Sequence, residues 1–288
     1  MKSECCRLCG SESLVPFGSF DLQVSNESTL SREGSPSLLV RCPRCGIVFQ
    51  DDFSLESLSG EYEESYYSEE VVLEEHIKYL YSCRWRTLGG YLTKQSRVLD
   101  FGCGKGYFLR QLRAVGLDDI HGVELSRSAR RFLRGEGYDV AGSLSEFGSA
   151  EPFDAISLFH VLEHLEDPRS FLESLKDSLA ADGKIIIEVP NIDSFGFKRF
   201  GPEWFYLQKE HLYYFDQKSL ISLIERTGYR VEMSYRFGGF WVTKGNSGRK
   251  KVLNLPKSFK NPLIGVYLWG CDLFGLHDFI GVVARIIK

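Results

Sequence analysis

The sequence predicts an α/β fold: a doubly wound, mostly parallel sheet of seven strands, preceded by a small cysteine-bearing N-terminal module. Three observations carry this expectation. From Arg97 onward, short apolar runs alternate with amphipathic stretches of helical length, the pattern of strands joined by crossover helices. The first of these runs ends in a glycine-rich loop, Gly102-Cys-Gly104-Lys-Gly106. Five of the eight cysteines fall within the first 45 residues, four of them in two matching knuckles, Cys6-Arg-Leu-Cys9-Gly10 and Cys42-Pro-Arg-Cys45-Gly46.

The knuckles define a first unit, residues 1–55. Thiolates bind Zn²⁺ tetrahedrally, and two C-x-x-C turns supply four of them. Cys6, Cys9, Cys42 and Cys45 are therefore the expected ligands of a closed, structural zinc site in a zinc-ribbon-like module. Cys5 is an alternative to Cys6, and Cys42-Pro-Arg-Cys45 alone would also suit a thiol-disulfide pair. The gap between the knuckles is long and Ser-rich from Ser25 to Ser37, which reads as a loop; loop length costs little. Cys83, Cys103 and Cys271 read as packed free thiols.

Residues 56–94 read as a helical lead-in or lid. Residues 61–75 carry seven acids and no bases, interleaved with Tyr62, Tyr66 and Tyr67. The apolar spacing of Val72, Ile77, Leu80, Tyr81 and Leu88 suits a helix from about 71 to 92.

Residues 95–288 read as the main domain. Strands are expected at 97–101, 120–124, from 138, 153–159, 184–189, 230–237 and 279–287. Helices are expected from 106 to 115, 127 to 135 with Ser126 as cap, 168 to 181, and 216 to 228 with Asp216 as cap. An insert is expected at about 240–275.

The glycine loop does not follow the dinucleotide spacing G-x-G-x-x-G, because position 107 is tyrosine. Asp100 at the preceding strand end would repel a pyrophosphate but suits a cationic ligand. Glu124, at the end of the second strand, can accept the hydroxyls of a ribose. Val98-Leu-Asp-Phe-Gly-Cys-Gly-Lys-Gly-Tyr-Phe-Leu109, followed by Gly122-Val-Glu-Leu-Ser126, resembles the first two motifs of class I S-adenosylmethionine-dependent methyltransferases. The 153–168 run and Ile186-Ile-Glu-Val-Pro-Asn191 look like their fourth- and fifth-strand motifs. The resemblance spans roughly residues 95–235. It implies S-adenosylmethionine as cofactor, with Asp100, Gly102 and Gly104 around its methionine part and Cys103 in the same loop. It implies Glu124 and Leu125 at the ribose side and Ser143 and Leu144 at the adenine. Phe159 and His160 would line the methyl-donor pocket, with Tyr67 as part of a lid.

Methyl transfer needs an aligned acceptor and often a base. His211, oriented by Glu210, is one candidate base, and His160 is a second residue for direct substrate contact. Glu163 and His164 follow His160 at the start of a helical turn, where one of them could bond to backbone. The zinc front, the Tyr-Tyr lead-in and Glu210-His-Leu-Tyr-Tyr214 also resemble bacterial nucleotide-sugar C-methyltransferases, in which the His of the Glu-His pair is a proposed base. Those enzymes carry a sizeable further C-terminal domain, and this chain runs only to 288. The Trp204-to-Leu212 segment resembles shorter methyltransferases of glycan modification.

Net charge is −4 overall, but residues 1–75 hold 15 acids and 5 bases while the remainder holds 24 acids and 30 bases. The composition excludes a disordered or collagen-like chain. No apolar run is long enough to span a membrane, and the N-terminus lacks the apolar core of a signal peptide, so a cytoplasmic protein is expected. Six bases and no acid in 241–260, followed by an apolar stretch to Leu276, make peripheral membrane contact by 244–276 conceivable but not favoured. The charge disfavours nucleic acid as a partner. The sequence therefore predicts methyl transfer to a small molecule, a sugar or nucleotide-sugar. The alternatives are an O- or N-methyltransferase of a lipid, quinone or RNA, or a non-catalytic binding module.

Overall fold

The computed structural model describes residues 3–22, 36–51, 84–85, 87–148, 151–237, 242–244, 250–252 and 277–287. The N-terminal module forms three strands, β1 (Val15–Phe20), β2 (Ser37–Arg41) and β3 (Val48–Gln50). The main body follows as β4 (Val98–Phe101), α1 (Tyr107–Ala114), β5 (Ile120–Val123), α2 (Arg127–Gly135), β6 (Asp139–Ala141), β7 (Phe153–Phe159), α3 (Pro168–Ser174) and β8 (Leu179–Pro190). It ends with α4 (Phe195–Phe200), β9 (Tyr213–Tyr214), α5 (Gln217–Arg226), β10 (Tyr229–Phe237), the hairpin strands β11 (Val242–Lys244) and β12 (Lys250–Val252), and β13 (Phe279–Ile286).

All seven expected strands form one sheet, in the order β10-β13-β8-β7-β4-β5-β6. Strands β4 to β8 pair in parallel. β13 inserts antiparallel between β8 and β10. The order reverses at β4, with β5 on one side and β7 on the other, and a ligand cleft is expected at the carboxyl ends of such strands. Helices on both faces explain why β8 is apolar almost throughout: Ile185, Ile186, Ile187 and Val189 are all fully buried.

The helix starts obey their local chemistry. Ser126 accepts from Ala129 N at 3.3 Å. Asp216 and Ser219 form a reciprocal capping box on α5. The third helix is shorter than expected. It stops at Ser174, a 3₁₀ turn covers Leu175–Ser178, and β8 begins at Leu179. Asp182-Gly183, a dipeptide that favours turns, lies instead at an irregularity inside β8, where the pairing jumps from Phe153↔Leu179 to Ala155↔Lys184.

The cysteine module does not stand apart from the body. β3 pairs with β9, so Tyr213–Tyr214 supplies the fourth strand of the small antiparallel sheet. Leu8, Cys45 and Ile47 share one apolar core with Leu99, Ile187 and Tyr213. The Tyr66–Tyr67 lead-in and nearly all of the basic and apolar 244–276 stretch lie outside the described residues. Among the described residues, no helix is long and apolar enough to cross a membrane.

Candidate active site and cysteine centre

At the carboxyl ends of β4 and β5 the chain builds a cradle. Gly102 and Gly104 take φ of +71° and +51°, a region that side chains rarely adopt. A Cβ on Gly102 would meet Val161 Cγ2 at 2.6 Å, whereas one on Gly104 would meet nothing within 4 Å. Gly104 therefore borders open space in a conformation that lets a ligand approach the backbone. Glu124 sits against this loop, accepting from Gly104 N and Ser126 N, both at 2.8 Å. Each oxygen retains a further lone pair for a hydroxyl. Leu125 beside it is 71% exposed, an apolar surface suited to an aromatic ring. Ser143 is exposed and Leu144 half-buried just beyond the end of β6, on the same side of the sheet.

Asp100, at the end of β4, is buried and accepts from Ser157 Oγ at 2.7 Å. Burial pushes its carboxyl up to about 7, although Ser157 and Arg84 act to lower it. A cation brought to this cleft would return it to the charged form. The donor set thus fits the expected cofactor: a buried carboxyl, an open glycine backbone and a carboxylate with capacity for a diol. Cys103 departs from the expected set. Its side chain is buried, with Sγ only 2.8 Å from where a Cβ on Gly122 would lie, so only its backbone belongs to the loop.

A second network lies at the ends of β7 and β8. His160 has φ +58°, the one positive value outside glycine among the described residues. Its ring lies between two carboxylates, Nδ1 3.5 Å from Glu163 Oε1 and Nε2 3.4 Å from Glu188 Oε1. Burial alone would lower its pKa, but these carboxylates raise it to about 9. Glu188 is fully buried and takes a forked contact from Arg84, Nε to Oε2 at 3.1 Å and Nη2 to Oε1. Burial would raise the Glu188 carboxyl, yet Arg84 and His160 hold it below the usual range. Arg84 also lies over the Phe159 ring, 4.0 Å from its centroid. Phe159 itself is buried edge-on against Phe108. The His160 ring packs against Phe279 at 4.9 Å and remains about one third exposed, at 34%.

His211 does not fit the role of a free base. It is 4% exposed, and its Nδ1 donates to the Tyr206 carbonyl at 2.8 Å. Burial, with His164 adding to it, lowers its pKa to about 3, too low to draw a proton at neutral pH. Tyr206, through its carbonyl, therefore orients the ring. The carbonyl of Glu210 is engaged instead by His164 Nδ1 at 3.0 Å. Glu163, His164 and His211 come together, with one potential ligand atom from each all within 4.8 Å of one another.

The cysteine knuckles are near copies of each other. Gly10 N bonds to Cys6 O and Gly46 N to Cys42 O, both at 2.8 Å. Both glycines have positive φ. Cys6 Sγ lies 3.6 Å from Cys45 Sγ, and Cys9 Sγ lies 3.6 Å from Cys42 Sγ. A tetrahedral ion with Zn–S bonds of about 2.3 Å would space its sulfurs at roughly 3.8 Å, so the cluster matches. Cys5 is exposed and lies outside the cluster.

Arg84, Glu188 and Tyr206 were not singled out from the sequence. Glu188 had a signal, a lone acid inside Ile185-Ile-Ile-Glu-Val189, where a buried charge needs a partner. Arg84 lies 104 residues away from it, beyond the reach of any local pattern.

A family model described as "methyltransferase domain" matches residues 73–233. Among curated proteins, the chain is 27% identical over 126 residues to a tRNA U34 carboxymethyltransferase of Alteromonas mediterranea, a match covering 38% of each. It is 25% identical over 168 residues to that of Dichelobacter nodosus, covering 52% of this chain and 54% of the relative. The matched region thus spans about half or less of those relatives. Among solved structures, a SAM-dependent methyltransferase from Archaeoglobus fulgidus superposes with a TM-score of 0.51 at 22% identity, covering 73% of this chain and 94% of that one. One from Thermotoga maritima, described as a possible histamine N-methyltransferase, gives 0.50 at 15%, covering 74% and 92%. Both support the fold.

Proposed function

The chain belongs to the methyltransferase domain family and is a class I S-adenosylmethionine-dependent methyltransferase; from that premise we propose that it methylates a small hydroxyl-bearing molecule, a sugar or nucleotide-sugar. The open Gly104 backbone facing Glu124 carries the cofactor part of the reading; the sugar acceptor rests on the resemblance of Glu210-His-Leu-Tyr-Tyr214 to nucleotide-sugar C-methyltransferases. Asp100, Gly102 and Gly104 would hold the methionine part, Glu124 the ribose, and Leu125, Ser143 and Leu144 the adenine. The bound cofactor supplies an electrophilic methyl group on a sulfonium.

The remaining work falls to side chains at the ends of β7 and β8. His160 is the exposed member of the charged network and would form the wall against which the acceptor lies. Arg84 and Glu188 hold its ring in place. Glu163 and Glu188 lie buried behind it, their charge balanced by His160 and Arg84. His211 as base, oriented by Glu210, is not carried forward, because the ring is buried and held by the Tyr206 carbonyl. Cys6, Cys9, Cys42 and Cys45 would hold a structural zinc ion, and the module over 1–55 would buttress the domain over 95–288 through the pairing of β3 with β9.

A second reading takes RNA as the acceptor. The relatives' names favour it, since both concern a tRNA base, and it runs against the disfavour read from net charge. Methyl-labelled S-adenosylmethionine, offered with a panel of nucleotide-sugars and, separately, with bulk unmodified tRNA, distinguishes the two. Label in a nucleotide-sugar supports the first reading. Label in tRNA alone overturns it.

A further inference from the structure

We infer that Glu163, His164 and His211 form a second metal site, for a divalent first-row transition ion, beside the acceptor cleft and separate from the four cysteines. The argument starts from protons. A backbone carbonyl can only accept, so the contacts from His164 Nδ1 to Glu210 O and from His211 Nδ1 to Tyr206 O place a hydrogen on Nδ1 of each ring. A neutral ring then carries its free lone pair on Nε2. Metal-bound histidines have this arrangement, the far nitrogen donating to a carbonyl that fixes the ring and its tautomer.

The third ligand is Glu163. It is 1% exposed, and neither carboxylate oxygen accepts a hydrogen bond. The His160 ring, 3.5 Å from one oxygen, balances part of its charge, but no hydrogen bond completes the compensation that a buried carboxylate needs. A divalent ion between the carboxylate and the two imidazoles would supply that compensation. Two imidazoles and one carboxylate suit Zn, Fe, Co or Mn over Ca or Mg.

The framework holds the three ligands together. Leu212 N donates to Glu163 O at 2.8 Å, tying the His211 segment to the 3₁₀ turn Leu162–His164. The two imidazoles lie edge to face, 4.7 Å apart. Three protein ligands leave a four-coordinate ion one position for a water or an acceptor oxygen. The catalytic consequence rests on the methyltransferase reading: a metal-bound hydroxyl is more acidic, which would supply the deprotonation that buried His211 cannot. Metal binding itself does not depend on that reading.

The test uses the full chain, stripped with a chelator and titrated with Co²⁺. Two equivalents should bind, one giving the thiolate-to-cobalt charge-transfer band and the second leaving that band unchanged. Proton NMR of the doubly loaded protein should show two strongly shifted, exchangeable ring N–H signals from the two histidines. Glu163→Gln and His164→Gln should each remove the second equivalent while keeping the thiolate band, which also reports that the fold survives. A wild-type chain that binds a single equivalent, or that shows no shifted histidine signals, overturns the site. So does a second equivalent that persists in both variants. Calorimetry with S-adenosylmethionine on the same samples reports separately on the cofactor site.

Discussion

Gln50, the last residue of β3, donates its side-chain amide to the backbone carbonyl of His211 at 2.9 Å and to that of Lys209 at 2.8 Å. Its own backbone N–H donates to Leu212 O at 3.1 Å. One residue of the cysteine module thus clamps the segment carrying His211. Gln50→Ala removes the shared donor and leaves the buried His211 carbonyl unsatisfied, at about 1–3 kcal/mol. Urea denaturation should show that loss, and amide exchange at 209–212 should quicken. An unchanged midpoint would contradict the clamp.

The same connection links the four cysteines to turnover. Cys42→Ser should release the structural ion and loosen β3, and with it β9 and His211. Turnover should fall on the order of tenfold or more, as when supporting groups of a site are removed. Cofactor affinity should hold, because Gly104 and Glu124 lie on the β4–β5 side of the sheet. Full activity in a metal-free Cys42→Ser protein would refute the coupling.

Gly102 and Gly104 should respond differently to alanine. At Gly104 the added methyl meets no protein atom, so the fold should survive with a backbone penalty of about 1–2 kcal/mol. The methyl would occupy the ligand's space, and affinity for S-adenosylmethionine should drop severely. At Gly102 the methyl collides with Val161, so the midpoint of unfolding should fall further than for Gly104→Ala. Equal effects on stability would contradict the open cradle.

Asp100 gives the ligand-free protein a pH signature. Its carboxyl is pushed up to about 7 by burial, and that of Asp278 likewise to about 7, both above their unfolded values. Their contribution to stability is fully present below the unfolded pKa near 4 and is lost as pH rises through about 7. The thermal midpoint should therefore fall between about pH 4 and 7 and level off above, and fall less in Asp100→Asn. Parallel curves for the two proteins would reject this assignment.

The parts legible in the sequence are those with local causes. Short apolar runs marked the seven strands, Asp216 and Ser126 marked their helix starts, and two matching knuckles marked the cysteine cluster. What the sequence did not reveal depends on distant partners. Tyr213–Tyr214 becomes a strand only because β3 lies alongside. Nothing in Glu210-His211 announces that Tyr206 captures the ring and that burial silences it as a base. The Arg84–Glu188 pair joins residues far apart in sequence at the carboxyl end of β8. The substitution of a bulge for the Asp182-Gly183 turn likewise reflects pairing with β7 rather than any local preference.

The central claim is that the cleft above β4 and β5 binds S-adenosylmethionine, and isothermal calorimetry of the full chain tests it most directly. One molecule should bind per chain, and Glu124→Ala should weaken binding strongly without lowering the free energy of unfolding by more than about 1–3 kcal/mol. Absence of heat at millimolar ligand, or equal affinity in Glu124→Ala, would contradict the account.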